Sequence, residues 1–205
     1  MARPQAFDLV DLASAGLDLV EAEGWPAVSI RSVAGHLGVS PMALYRVVAD
    51  GQELRRVIAD AAAARIRPGP DGGDVIDALH AWARRAYRQL GRYPGLAAYV
   101  VTEWTELPSW LDIVETFLAY AQSGGLVGAP AVATVNAIYA YVLLRCQIRD
   151  TFAAAPHRQL APVRAQRARY PLIRANRSEF TTAKTDRHFA LGLDVITNGL
   201  RDNGA

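Results

Sequence analysis

The chain is poor in the features that announce an enzyme or a membrane protein. Its 205 residues include one cysteine, Cys146. A single thiol excludes an internal disulfide and fits a reducing compartment, and in an apolar stretch it reads as a small packed side chain. The four histidines (His36, His80, His157 and His188) have no metal-ligand spacing with a second His, Cys or carboxylate. No alternating strand pattern is present, so no Gly-rich phosphate loop can follow a strand. No Ser-His-Asp arrangement can be argued from spacing. The chain is therefore expected to be no enzyme and to carry no metal and no cofactor. No apolar run reaches the roughly 18 residues of a membrane span. Met1-Ala2-Arg3-Pro4 leads into an amphipathic, acid-bearing helix rather than a signal peptide. Together these predict a cytoplasmic protein with no membrane partner.

Charge is scarce as well. The formal net charge is +2. Residues 1–66 carry six Arg against eight acids and are acidic overall. Phosphate neutralisation supplies most non-specific DNA affinity, so this end lacks a basic footprint.

What the chain has is helical periodicity, and the fold class is all-α. Leu9, Leu12, Ala13, Gly16, Leu17 and Val20 form one apolar stripe, predicting a helix over 6–23 that Gly24 stops. Trp25-Pro26 makes a corner, and Ser29 caps a second helix with Ile30, Val33, Ala34 and Leu37 inward. Gly38-Val39-Ser40 is a tight turn. Ser40 caps a third helix, 41–48, with Pro41 at its first position and Leu44, Val47 and Val48 in the core. Asp50 and Glu53 form a capping box that opens a fourth helix, 51–66. Two helices about a tight turn are the layout of a helix-turn-helix, whose second helix enters the DNA major groove.

Residues 68–73, Pro-Gly-Pro-Asp-Gly-Gly, cannot continue a helix. They separate a DNA-binding domain, 1–66 including the connecting helix, from a second helical domain, 74–205. Within the latter, helices are expected near 74–90, 94–103, 108–123, 130–154, 159–168, 170–180 and 187–201.

The segment Trp25-Pro26-Ala27-Val28-Ser29-Ile30-Arg31-Ser32-Val33-Ala34, followed by Leu37-Gly38-Val39-Ser40, Ala43-Leu44-Tyr45-Arg46 and Glu53-Leu54, resembles the tetracycline-repressor (TetR-type) family of regulators. Tyr170-Pro171-Leu172 and the run from Phe189 to Leu200 resemble the last elements of that family's effector domain. The resemblance implies a homodimeric repressor that binds palindromic double-stranded operator DNA and is released by a small-molecule effector. It also exposes two departures. Val47 stands where the family usually has His or a similar donor, and Gly51 where it usually has Lys or Arg against a phosphate. These departures keep a second reading open: a helical small-molecule-binding dimer with weak or lost DNA binding.

The candidate DNA-binding residues are Arg31, Ser40, Pro41, Met42, Ala43, Tyr45 and Arg46. Pro41, Met42 and Ala43 can offer only apolar contact, for example to thymine methyls. Arg31 is the best candidate for a bidentate guanine contact, Arg46 for guanine or phosphate, and Ser40 and Tyr45 for phosphate. Eleven of the seventeen aromatic residues lie between Trp82 and Phe152. That concentration suits an apolar ligand cavity between bundle helices. The candidate effector-binding residues are Trp82, Tyr87, Tyr99, Trp104, Trp110, Phe117, Asn136, Tyr139 and Leu143. Asn136 is the expected polar anchor on the stripe Val132, Asn136, Tyr139, Leu143 and Cys146. Residues 131–152, apolar on more than one face, and Leu191, Val195, Ile196 and Leu200 are expected to form a two-fold four-helix interface. The arginine-rich stretch 158–187 reads as a solvated face. Effector binding is expected to act on DNA affinity through the connecting helix.

Overall fold

The computed structural model describes residues 7–68, 74–154, 169–176, 178–179 and 186–202. All regular elements among them are helical. The N-terminal unit comprises α1 (Leu9–Glu23), a 3-10 turn (Trp25–Ala27), α2 (Ile30–Leu37), α3 (Pro41–Leu44) and α4 (Gly51–Ala64). There follow α5 (Val75–Leu90), α6 (Leu96–Glu103), a 3-10 turn (Trp104–Glu106), α7 (Pro108–Ser123), α8 (Ala129–Ala154), α9 (Pro171–Ala175) and α10 (Asp186–Asp202). The expected helix over 159–168 lies outside the described residues.

Helix ends follow local chemistry. α1 begins at Leu9, where its apolar stripe starts, rather than at the expected residue 6, because Asp8 closes a capping box with Asp11. In α2 the box is Ser29 with Ser32, and the Ser32 hydroxyl also donates to the Ala27 carbonyl at 2.6 Å. Gly38 ends α2 in the left-handed region, φ +69°, where the Val39 N–H reaches back to the Ala34 carbonyl at 3.0 Å. That 6→1 bond satisfies a carbonyl the helix would leave open.

Two capping expectations are corrected. Ser40 stands at the N-cap of α3 but makes no side-chain capping bond. Asp50 caps α4, accepting from the N–H groups of Gln52 and Glu53 at 2.8 Å each, but Glu53 reaches the N–H of Ala49 rather than that of Asp50. α3 is also shorter than the expected 41–48. After Leu44 the chain continues in tight turns, with the Val47 N–H donating to the Leu44 carbonyl at 2.8 Å.

The two N–H bonds at Asp50 hold its carboxyl below the ordinary value of 3.8. A depressed folded pKa stabilises the fold above the unfolded value, and the contribution is lost as pH falls through the folded one. Asp50→Asn is therefore expected to lower the thermal midpoint at neutral pH, with the gap to wild type closing below pH 3.8. Melting curves at several pH values check this, and a pH-independent gap would contradict it.

One continuous core runs through the whole described chain. α1 crosses α4 and packs on α2, α4 lies on α7, and α5 packs against α7, α8 and α10. α8 is the one described helix long and apolar enough to cross a membrane by length and composition, against the expectation that no such run exists. Its hydropathy has a packing explanation: Val135, Ile138, Val142 and Cys146 are buried in the core, where burial pushes the Cys146 thiol up to about 12.

Candidate DNA-binding edge and effector site

The helix-turn-helix presents one exposed edge. Arg31 at the start of α2 is exposed, as are Ser40, Pro41, Met42, Tyr45 and Arg46. Met42 is 70% and Tyr45 50% exposed. Ala43 is half-buried, and Leu44 and Val48 behind it are in the core. Arg31, Ser40, Tyr45 and Arg46 make no side-chain hydrogen bond or ion pair among the described residues. Their donors are therefore unspent. Other N-terminal cations are engaged inward: Arg55 donates to the Val28 carbonyl and Arg65 to the Tyr93 hydroxyl.

Several acids of this unit are engaged within the fold. Asp8, Asp11, Asp50 and Glu53 are spent on helix-start N–H groups. Glu21 holds Arg92 in a two-oxygen ion pair. Of the two departures, Val47 is half-buried and packs on the core rather than facing outward. Gly51 is exposed, and a Cβ built there meets nothing within 4 Å. His36 is exposed and lines a surface pocket of about 360 Å³ with Phe7, Asp11 and Asp18 of the α1 side.

The candidate effector residues divide into groups. Trp82, Trp110 and Phe117 are buried in edge-to-face contact, with centroids 6.2 and 5.4 Å from Trp82. Tyr139 joins Trp110 at 6.1 Å and Trp104 at 6.5 Å. Within this cluster the indoles differ. The Trp82 N–H is spent on the Ile66 carbonyl at 2.7 Å, whereas the Trp110 N–H is buried without a hydrogen-bond partner among the described residues. Leu143 is buried in the core.

Three candidates lie apart from that cluster. Tyr87 stacks on Phe189 at 4.0 Å, with the Arg149 guanidinium over its ring at 5.0 Å. Tyr99 packs on Trp25 at 4.7 Å and so belongs to the junction between the two units. Asn136 is exposed and does not lie on the buried stripe of α8. The inward register runs through 135, 138, 142 and 146, so Leu143 and Cys146 of the expected stripe stay inside while Val132 and Asn136, a turn or more earlier, turn outward.

The junction itself was not legible in the sequence. The Trp25 N–H donates to the Pro94 carbonyl at 2.8 Å, and next to it the Gly95 N–H donates to Asp150 of α8, also at 2.8 Å. Gly95 sits at φ +85°, with Trp25 3.1 Å from where a Cβ would be. A second contact joins α4 to α7 through Asp60 and Ser109.

Apolar side chains also remain outside. Leu144 of α8 is 53% exposed, and Leu191 and Val195 of α10 are 51% and 73% exposed. Ile196 and Leu200, expected on the same face, are half-buried against the chain's own core. Of the arginine-rich stretch, Arg169 lies over the Tyr170 ring and Arg174 is exposed. Arg158, Arg164, Arg167, Arg177 and Lys184 fall outside the described residues.

A helix-turn-helix with unspent donors, joined by a connecting helix to an aromatic-rich helical bundle, defines a DNA-binding regulator of transcription. Residues 67–203 match the family model of the tetracyclin repressor-like C-terminal domain. The chain is 30% identical over 208 residues to the HTH-type transcriptional repressor DrrR1 of Streptomyces coeruleorubidus, covering 92% of this chain and 75% of that protein. It belongs to the tetracycline-repressor family of transcriptional regulators. Among solved structures it is similar to ActR of Streptomyces coelicolor in complex with (S)-DNPA, with a TM-score of 0.78 and 24% identity over 100% of both chains. It is also similar to BioQ of Mycobacterium smegmatis with its natural double-stranded DNA operator, with a TM-score of 0.67 and 20% identity over 95% of this chain and 98% of that one.

Proposed function

We propose that the protein is a cytoplasmic homodimeric repressor that binds a palindromic operator and leaves it when a small aromatic effector binds between α5, α7 and α8. The observation that carries this reading is the exposed edge of the helix-turn-helix, where Arg31, Ser40, Tyr45 and Arg46 keep their donors free. Arg31 and Arg46 supply the charged contacts, Ser40 and Tyr45 donate to phosphates, and Pro41, Met42 and Ala43 give apolar contact to base edges. Names of similar proteins support each half: DrrR1 is a repressor, BioQ takes an operator and ActR takes (S)-DNPA. The exposed Leu144, Leu191 and Val195 supply an apolar face for a second copy. A dimer is needed because two recognition helices must reach half-sites roughly 34–36 Å apart. The effector site centres on Trp104, Trp110, Phe117 and Tyr139, with Trp82 and Leu143 behind them. Domain limits of 1–66 and 74–205 follow from this division of labour, although the hydrophobic core is shared.

A gel shift with the DNA upstream of the protein's own gene tests the reading. Arg31→Ala is expected to weaken binding by about 1–3 kcal/mol if it reads a guanine, and Arg31→Ala with Tyr45→Ala to abolish it. Gly51→Lys has room for its side chain. It is expected to raise affinity and to steepen the salt dependence by about 0.9 per added phosphate contact. Absence of binding by the wild type at low salt would favour a ligand-binding dimer without DNA function.

A further inference from the structure

Asp60 lies in the alanine-rich half of α4, and its carboxylate takes both donors of Ser109: the backbone N–H at 2.6 Å and the hydroxyl at 2.9 Å. Ser109 is the second residue of α7, a helix whose own N-cap position, Leu107, offers no side-chain acceptor. The first N–H groups of a helix have no intrahelical partner and carry the positive end of its dipole. Asp60 therefore caps α7 from another helix. Arg67, just beyond α4, clamps the same turn, donating to the Ser109 hydroxyl at 3.2 Å and to Asp112 at 2.7 Å.

The next residue is Trp110, whose ring lies in the aromatic cluster and whose buried N–H has no partner among the described residues. One turn of α7 thus touches the effector region on one side and α4 on the other. Nine residues separate Asp60 from the start of α4, about 14 Å of stiff helix at 1.5 Å per residue, ending beside the helix-turn-helix.

Building on the effector-responsive reading above, we propose that Asp60 is the positioning residue that couples effector binding at Trp110 to the helix-turn-helix, by locking the first turn of α7 to α4. A movement of that turn is then a movement of α4. Coupling between two sites is reciprocal, so operator binding must in turn alter the first turn of α7, although no DNA contact lies near it.

Hydrogen exchange of the full-length protein, with and without the DNA upstream of its own gene, tests this. In the wild type, DNA is expected to change exchange in residues 108–112. In Asp60→Ala the DNA still binds, but that change is lost. Asp60→Asn keeps one acceptor for the Ser109 N–H and restores part of it. If Asp60→Ala fails to fold, Ser109→Ala, which keeps the backbone N–H bond to Asp60 but deletes the hydroxyl bonds to Asp60 and Arg67, is expected to weaken the response. An undiminished response in Asp60→Ala, or in Ser109→Ala when it stands in, overturns the proposal. So does a wild type that binds DNA without any change at 108–112. Failure of the wild type to bind DNA is read separately in the gel shift and counts against the repressor reading. The coupling is then judged on the free protein. There, Asp60→Ala, or Ser109→Ala in its place, must raise exchange in residues 41–54 together with 108–112, and a rise confined to 108–112 overturns it.

Discussion

Gly16→Val is expected to abolish operator binding without changing any residue on the proposed DNA-binding edge. Gly16 is buried where α1 crosses α4. A Cβ added there would collide with Cγ1 and Cδ1 of Ile58, and would meet Cγ2 at 3.3 Å. Ile58 is fully buried, and a β-branched side chain has few rotamers to retreat into. Overpacking of this kind costs about 1–3 kcal/mol or more, a large share of the stability of a small helical unit. The clash falls between α1, which supports α2, and α4, which leads to the bundle, so the exposed edge of the helix-turn-helix loses its platform. Urea denaturation and the gel shift should report the loss together. Ile58→Ala makes room for the new side chain, so the double variant is expected to be more stable than the sum of the two single losses by about 0.5–3 kcal/mol. A Gly16→Val protein with wild-type midpoint and affinity would show that the crossing is looser than this packing requires.

Trp82→Ala is expected to destabilise the whole chain by about 3–5 kcal/mol. Trp82 is 1% exposed and stands between Trp110 and Phe117. Its N–H also holds the carbonyl of Ile66, a buried residue at the exit from α4. The two contributions separate in Trp82→Phe, which keeps a ring but leaves that carbonyl without its donor, a penalty of about 1–3 kcal/mol. Chemical denaturation of the three proteins measures both. A loss under about 1 kcal/mol for Trp82→Ala would place the residue outside the core and return it to the effector site as a contact. Trp110→Phe deletes an N–H that bonds to no described residue, so the same substitution should cost less at 110 than at 82.

Much of the fold was legible because helix signals are local. The apolar stripe of α1, the Ser29 cap and the turn at Gly38 each depend on a few neighbouring residues. The exposed edge of the helix-turn-helix was legible for the same reason, since a turn and a short helix fix which of residues 40–46 point outward. What failed was register and partnership. Asn136 was expected inward, but one residue of shift along a helix is a rotation of about 100°, enough to move it to the surface. Tyr87, Tyr99 and Trp110 are alike in sequence as aromatic residues on helices, yet they serve a stack on Phe189, a junction with Trp25 and the central cluster.

The sequence by itself determined the helices, the helix-turn-helix and the family, because caps, turns and apolar periodicity act over one or two turns of chain. Only the tertiary structure decided which charges are free. Arg31 and Arg46 are open at the edge, whereas Arg55, Arg65 and Arg92 are engaged by groups 27, 28 and 71 residues away. It also decided that Asp60 caps a helix starting 48 residues later. Hydrogen bonds and packing between distant segments depend on where the chain returns to itself, which no local pattern of residues encodes.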